Sequence, residues 1–302
     1  MKPGEANINF KFQPVLDKVE TRPGISNVKL RLPAGRQEFQ IMKYLRVWTR
    51  LAKMRFREYY IESRLHSIFL ISGKLIRFSF FFIFIIALLT KTQTLAGFSL
   101  YQTLLFFMTF NLIDIVSQFF LRSAYAIGWM INKGEIDYIL TQPVNTLFRI
   151  VSDIIDLLDL ATLVPVVIVL GIIVARLETS ITFYNFIFYL LLCFNALLIA
   201  FSIHVVIIAL SILTQEISSE IWVYRDLMTM GRFPVDIYSS PVQFVLTFII
   251  PIAVMVSIPA KVLLGILSWQ WILISFAIGL TFFGIGIKFW HFALRRYSSI
   301  ST

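Results

Sequence analysis

A single cysteine in 302 residues, Cys193 inside an apolar run, excludes a disulfide framework and a cysteine-built metal site; it reads as a small buried hydrophobe. Histidine is almost as scarce. His66 and His291 fall near the ends of apolar runs and His204 stands alone within one, so no histidine metal cluster can be assembled from neighbours. Charged residues make up only 15% of the chain against 58% hydrophobic, with a mean hydropathy of +0.80, more apolar surface than a soluble globule can hide. No serine-hydrolase or zinc-protease signature occurs. The nearest approach to a phosphate-binding loop, Ser72-Gly73-Lys74-Leu75, lacks the first glycine and the closing Ser/Thr, so the chain is not expected to hydrolyse ATP itself. The N-terminus also lacks the pattern of a cleavable signal peptide, which leaves the first apolar run to act as the insertion signal.

What is present is a series of hydrophobic runs near 20 residues, the length a helix needs to cross a bilayer core of about 30 Å. The pattern predicts an all-α polytopic membrane protein of six transmembrane helices, at about 68–89, 100–121, 154–174, 186–213, 242–264 and 272–292. Residues 1–41 are rich in Pro, Gly, Lys and Arg without a period and read as a disordered basic extension. Met42 is a candidate natural start, and 42–302 the membrane domain. Over 42–65 the apolar Leu45, Trp48, Ala52, Phe56 and Tyr59 recur at helical spacing opposite Lys43, Arg46, Arg50, Lys53 and Arg57, as in a helix lying on a membrane surface.

The location of the positive charge argues against nucleic acid. Residues 1–65 hold 14 Lys/Arg and 6 Asp/Glu, +8 of the chain's +10, just ahead of the first run, where anionic membrane lipids favour it. With both termini cytoplasmic, 24 Lys/Arg fall inside and only Lys91, Arg176 and Lys261 outside. Lys74 and Arg77, near the cytoplasmic end of the first run, are expected to snorkel towards the surface.

That orientation puts two polar stretches inside the cell. The first, NKGEIDYILTQPVNTLFR at 132–149, has Gly134 to make a sharp turn and Pro143 to bias Gln142 away from helix, so Gly134 to Pro143 should form one short helix with defined ends. Glu135 and Asp137 fall in its first turn, where the helix dipole favours acids. Ile136, Ile139 and Leu140 give it an apolar stripe with no span of its own to cover it. The stripe can lie on the same protein, or it can dock a partner. The second stretch, 214–241, places Ile217, Ile221, Tyr224 and Met228 on one face of a helix ended by Gly231 and Pro234.

Inside the runs, Asn111, Asp114 and Gln118 share one helix face and either line a pathway or pair with a neighbouring helix. Asp153, Asp156 and Asp159 open the third run, and Asp159 is deep enough to need a partner. Pro165, Pro251 and Pro259 are candidate hinges, and Pro251 suggests that 248–265 is bent or re-entrant.

Over 42–297 this order of features resembles the membrane subunits of type-two ATP-binding-cassette exporters, in particular short bacterial permeases with a Gly-Glu-Leu-Asp-like internal motif. The matching residues are Gly134, Glu135, Ile136, Asp137, Tyr138, Leu140, Pro143 and Asn145, and a second match is GRFPVDIYSSP at 231–241 leading to Pro251 and Pro259. The resemblance implies ATPase docking through Gly134, Glu135, Asp137, Tyr138, Leu140 and Pro143, with Ile221, Tyr224, Arg225 and Arg232 from the second stretch. It also implies separate ATPase subunits carrying ATP and Mg, a second permease subunit, identical or related, surrounding membrane lipids, and a place in the bacterial inner membrane, with no nucleic acid and no cofactor on this chain. The competing expectation is an ion-coupled transporter using Asp114 without an ATPase; the missing inverted repeat argues against it.

Overall fold

A computed structural model describes residues 34–58, 64–179, 181–214 and 220–297, with side chains from Met42 onward. Residues 1–33, most of the expected basic extension, lie outside the described residues, as do Tyr59 and Ile217. The described chain is all-α. Its single extended feature is an isolated bridge between Leu95 and Phe98 in a turn.

Helix α1 covers Ala34–Arg57, so helix begins eight residues ahead of Met42. Its Trp48 packs edge-on against Phe119 and its Tyr44 against Phe148, while Leu45 and Phe56 stay exposed, leaving an apolar side for a surface to cover. The spans follow as α2 (Arg64–Thr92) and α3 (Leu100–Leu121), which continues through a 3-10 turn at Arg122–Ala126 into α4 (Ile127–Asn132). Two short helices precede the next long one, α5 (Glu135–Leu140) and α6 (Thr146–Val151). Next come α7 (Leu158–Arg176) and α8 (Phe183–Thr214), then α9 (Glu220–Met228), α10 (Ser240–Phe244), α11 (Ile258–Leu263) and α12 (Trp269–Arg296).

Among the described residues, five helical stretches are long and apolar enough to cross a membrane: α2, α3 with its continuation to Asn132, α7, α8 and α12. The sixth expected span, 242–264, is a bent pair. Ser240–Ile249 and Ala253–Leu263 meet at 83°, with Pro251 in the break. Proline offers no N–H to the turn before it, and the chain recovers through a Met255 N–H to Pro251 carbonyl bond of 3.0 Å. Pro165, by contrast, stays within α7, and Pro259 sits in the first turn of α11, where its missing donor is harmless.

The core is built on α3 and α8, each of which contributes more buried apolar side chains than any other helix, among them Leu105, Phe106, Met108, Ile199 and Val205. At 32 residues α8 is about 48 Å long, well beyond the hydrocarbon thickness, so it projects from the bilayer or tilts within it. It packs along α12 through small and polar residues. Asn195 Nδ2 donates to the Ser275 carbonyl at 2.9 Å, and the Gly286 Cα faces the Ser202 backbone closely enough that a Cβ would lie 3.1 Å from its carbonyl oxygen. The least covered span is α2. Only Ser67, Ile85 and Leu89 are buried along its 29 residues, which leaves an apolar cylinder for lipid.

The third run starts later than its hydropathy suggests. Ser152 to Leu157 form turns rather than helix, because Asp156 Oδ1 accepts the Leu158 N–H and Arg149 pairs with Asp153, and these side-chain bonds compete with the helical ladder.

Candidate functional site

The polar island at 132–149 is fastened at both ends. Gly134 adopts a left-handed backbone with φ of 69° between α4 and α5, where a side chain would be strained. Asn145 caps α6 by accepting the Phe148 N–H at 3.0 Å, and Arg149 Nε donates to Gln142 across the Pro143 turn at 3.2 Å. Glu135 and Asp137 occupy the first turn of α5, and Asp137 accepts a 3.0 Å hydrogen bond from the Tyr297 hydroxyl at the end of α12. Burial, with Asp137 beside it, pushes the Tyr297 hydroxyl up to about 12.

The apolar stripe of this helix points inward. Ile136 and Ile139 are buried in the protein's own core, at 0% and 3% exposure, so of the two alternatives for the stripe these two residues follow the first and lie on the same protein. What faces outward is a different edge. Tyr138 is 69% exposed and Leu140 37%, flanked by exposed Thr141 and Pro143. The second stretch behaves likewise: Ile221, Tyr224 and Met228 are buried beneath α9, and burial raises the Tyr224 hydroxyl above its ordinary value. Arg225 and Arg232, which the resemblance groups with the docking residues, are half-buried and line the interior of the bundle.

There they meet the polar face of α3. Asn111, Asp114 and Gln118 line one cavity of about 70 Å³ with Arg225 and Arg232. Its volume is several times the roughly 10–15 Å³ that one water requires. The other walls are Lys74, Arg77, Phe78 and Phe81 from α2, Phe107 and Phe110 from α3, Arg122 beyond it, and Asp159, Thr162 and Pro165 from α7. Two residue groups that sequence spacing kept apart, one assigned to a pathway and one to docking, therefore share a single site.

The site is strongly cationic. Five basic side chains line it against the two carboxylates of Asp114 and Asp159. Lys74 turns into the bundle instead of snorkelling, donating to Asp159 at 2.6 Å and Asp156 at 3.1 Å. Arg122 completes that group, with Nε 3.7 Å from Asp156 and a hydrogen bond to Gln118 at 3.2 Å. Burial lowers the Arg225 pKa, and the attraction of Asp114 and then Tyr125 outweighs it, for a net upward shift. Arg232 shifts the opposite way: burial and the repulsion of Arg77 hold it below the ordinary guanidinium value. Its guanidinium lies over Phe81 at 4.8 Å and Phe110 at 5.6 Å.

Sequence reasoning missed most of this lining. Lys74, Arg77, Arg122 and the four phenylalanines carry no motif. The available signals were the depth of Asp159 and the basic pair on the lipid-facing first span, each of which called for a counter-charge that only tertiary structure supplies. No group of His, Cys, Asp and Glu able to hold a metal occurs among the described residues.

Comparison with known proteins agrees with this architecture. No curated protein matches the chain. A family model described as ABC-2 family transporter protein matches residues 75–301, which takes in the cavity lining apart from Lys74, both polar stretches and the bent pair. A helical, multi-pass chain with a polar cavity among its spans and a match over most of its length is thus a member of the ABC-2 transporter family, a membrane permease domain of the ATP-binding-cassette type.

Proposed function

We propose that this chain is the membrane-spanning subunit of an exporter in a bacterial inner membrane, moving a hydrophobic or amphipathic substrate outward. ATP, with Mg, is hydrolysed on separate ATPase subunits, and a second permease subunit, identical or related, completes the pathway. The observation that carries this reading is the outward edge of α5. A short helix, held by Gly134 and tied by Asp137 to Tyr297, presents Tyr138 and Leu140 to the surroundings while its other face is anchored in the core.

Such a helix transmits force. Its N-terminal end joins the continuous α3–α4 stretch of 33 residues, and Tyr297 joins it to α12, so displacement of α5 by a closing ATPase pair acts on two spans at once. One of them carries Asn111, Asp114 and Gln118 along the cavity wall. An ion-coupled mechanism at Asp114 is disfavoured, because Lys74, Arg77, Arg225 and Arg232 crowd the same carboxylate and repel a second cation.

The test is affinity purification of the tagged chain from mild detergent, followed by an ATPase assay. A stoichiometric ATPase carrying a phosphate-binding loop is expected to accompany it, and ATP to drive transport in proteoliposomes. A chain that purifies alone and still transports would end this reading.

A further inference from the structure

We infer that the cavity bounded by α2, α3, α7 and α9 binds an anionic amphiphile, whose charged headgroup sits against Arg77 and Arg232 while its apolar tail lies along the lipid-facing side of α2. The inference rests on the reading of the chain as a permease subunit and names the class of substrate that its site accepts.

The charge inventory comes first. Lys74 is matched by Asp156 and Asp159, and Arg122 by Asp156. Arg77, Arg225 and Arg232 share the one carboxylate of Asp114, none of them within ion-pair distance of an acid among the described residues; Arg225 is the most strongly drawn to Asp114 and also donates to the Tyr125 hydroxyl. Three guanidinium groups sharing one carboxylate next to hydrocarbon leave Arg77 and Arg232 in excess, which is unfavourable unless an anion joins them. Guanidinium also suits a phosphate or carboxylate better than a halide, because its planar fork donates two parallel hydrogen bonds. With Arg232 stacked over Phe81 and Phe110, its hydrogen-bonding edge is left for such a ligand.

The apolar half of the argument comes from α2. Arg77 is itself exposed, and on the same helix Phe80 and Phe84, three and seven residues further on, are exposed on the side that it shares, a hydrocarbon track from the edge of the cavity towards the middle of the span. A cavity of about 70 Å³ accommodates a compact headgroup and no acyl chain, so the tail must leave it, and this track is where it meets lipid. Oδ2 of Asp159, buried in the cavity wall without a hydrogen-bond partner among the described residues, adds an acceptor for a hydroxyl or protonated oxygen on the headgroup.

Native mass spectrometry of the full chain in a non-ionic detergent tests this. The probes are lysophosphatidic acid, its zwitterionic phosphocholine counterpart and its uncharged monoacylglycerol counterpart, all of one chain length, and inorganic phosphate. Lysophosphatidic acid is expected to bind at least about tenfold more tightly than either lipid counterpart, and the Arg77→Gln/Arg232→Gln double variant to lose about tenfold, while Arg176→Gln, remote from the cavity lining, changes nothing. Arg77→Gln alone, at an exposed position, is expected to weaken binding severalfold and keeps the test readable should the double variant fail to fold. Equal binding of the three lipids, or undiminished binding by the Arg77→Gln variant, would overturn the inference. So would displacement of the lipid by an equal concentration of inorganic phosphate, which would mark a site for free anions. ATPase capture from the same preparation reports on the permease reading separately, since lipid binding needs no ATPase.

Discussion

Lys74 on α2 donates to Asp159 on α7 at 2.6 Å, across 85 residues of sequence. The same ammonium reaches Asp156 at 3.1 Å, so one cation holds the poorly covered first span against the start of the third. Asp159 is 4% exposed and has no other cation within ion-pair distance among the described residues, whereas Asp156 keeps Arg122 at 3.7 Å.

Replacing Lys74 with Met should therefore strand Asp159. Breaking a fully buried pair costs about 3–5 kcal/mol, and partial exposure of the lysine brings the expected loss to about 2–3 kcal/mol. Thermal unfolding in detergent reads it, and Lys74→Met/Asp159→Leu should recover most of the loss. A single variant as stable as the parent would show that the pair holds nothing.

At Gly279 the Asn195 side chain of α8 occupies the space that a Cβ on α12 would take. A Cβ there would lie 1.9 Å from Asn195 Oδ1, so Gly279→Ala must push Asn195 aside and break its bond to the Ser275 carbonyl. The expected loss is about 1–3 kcal/mol, and it should shrink in the Gly279→Ala/Asn195→Ala double variant, since the two act through one contact. Gly284→Ala, with open space around its Cβ, should be close to neutral. Equal effects at the two glycines would contradict the packing described.

Tyr297 gives a pH dependence. Its hydroxyl is raised to about 12 in the folded protein, against an ordinary value near 10. A raised folded-state pKa means that the stabilisation is fully present below about pH 10 and is lost as pH rises towards 12, because the unfolded chain releases its proton first. The difference in melting temperature between the parent and Tyr297→Phe should be constant below pH 10 and shift in favour of the variant between pH 10 and 12. A difference that does not change with pH would remove Tyr297 from the alkaline response.

How far these features were legible in the sequence depended on how local their causes are. The long spans follow from hydropathy, and α3 occupies 100–121, where the second run was placed. The turn at Gly134 and the stop before Pro143 follow from backbone chemistry alone. Direction was less accessible. Periodicity marks Ile136 and Ile139 as one apolar face but does not say what covers it, and the core does. Arg225 and Arg232 could be placed in an internal stretch, yet only the packing of α9 on α8, and of the Thr229–Arg232 turn on α3, brings them to the cavity beside Asp114. The Lys74–Asp159 pair had no local signal beyond a buried acid in search of a cation.

The central claim, that the outward edge of α5 receives an ATPase, is tested most directly by placing a photo-crosslinking phenylalanine analogue at Tyr138. That side chain is 69% exposed and outside the core, so the fold should tolerate the change within about 0.5 kcal/mol. Illumination in native membranes should give a covalent adduct with a single ATPase subunit, in a yield that changes when a non-hydrolysable ATP analogue closes the ATPase pair. An active transporter with no adduct at Tyr138, or with adducts to lipid alone, would contradict the account.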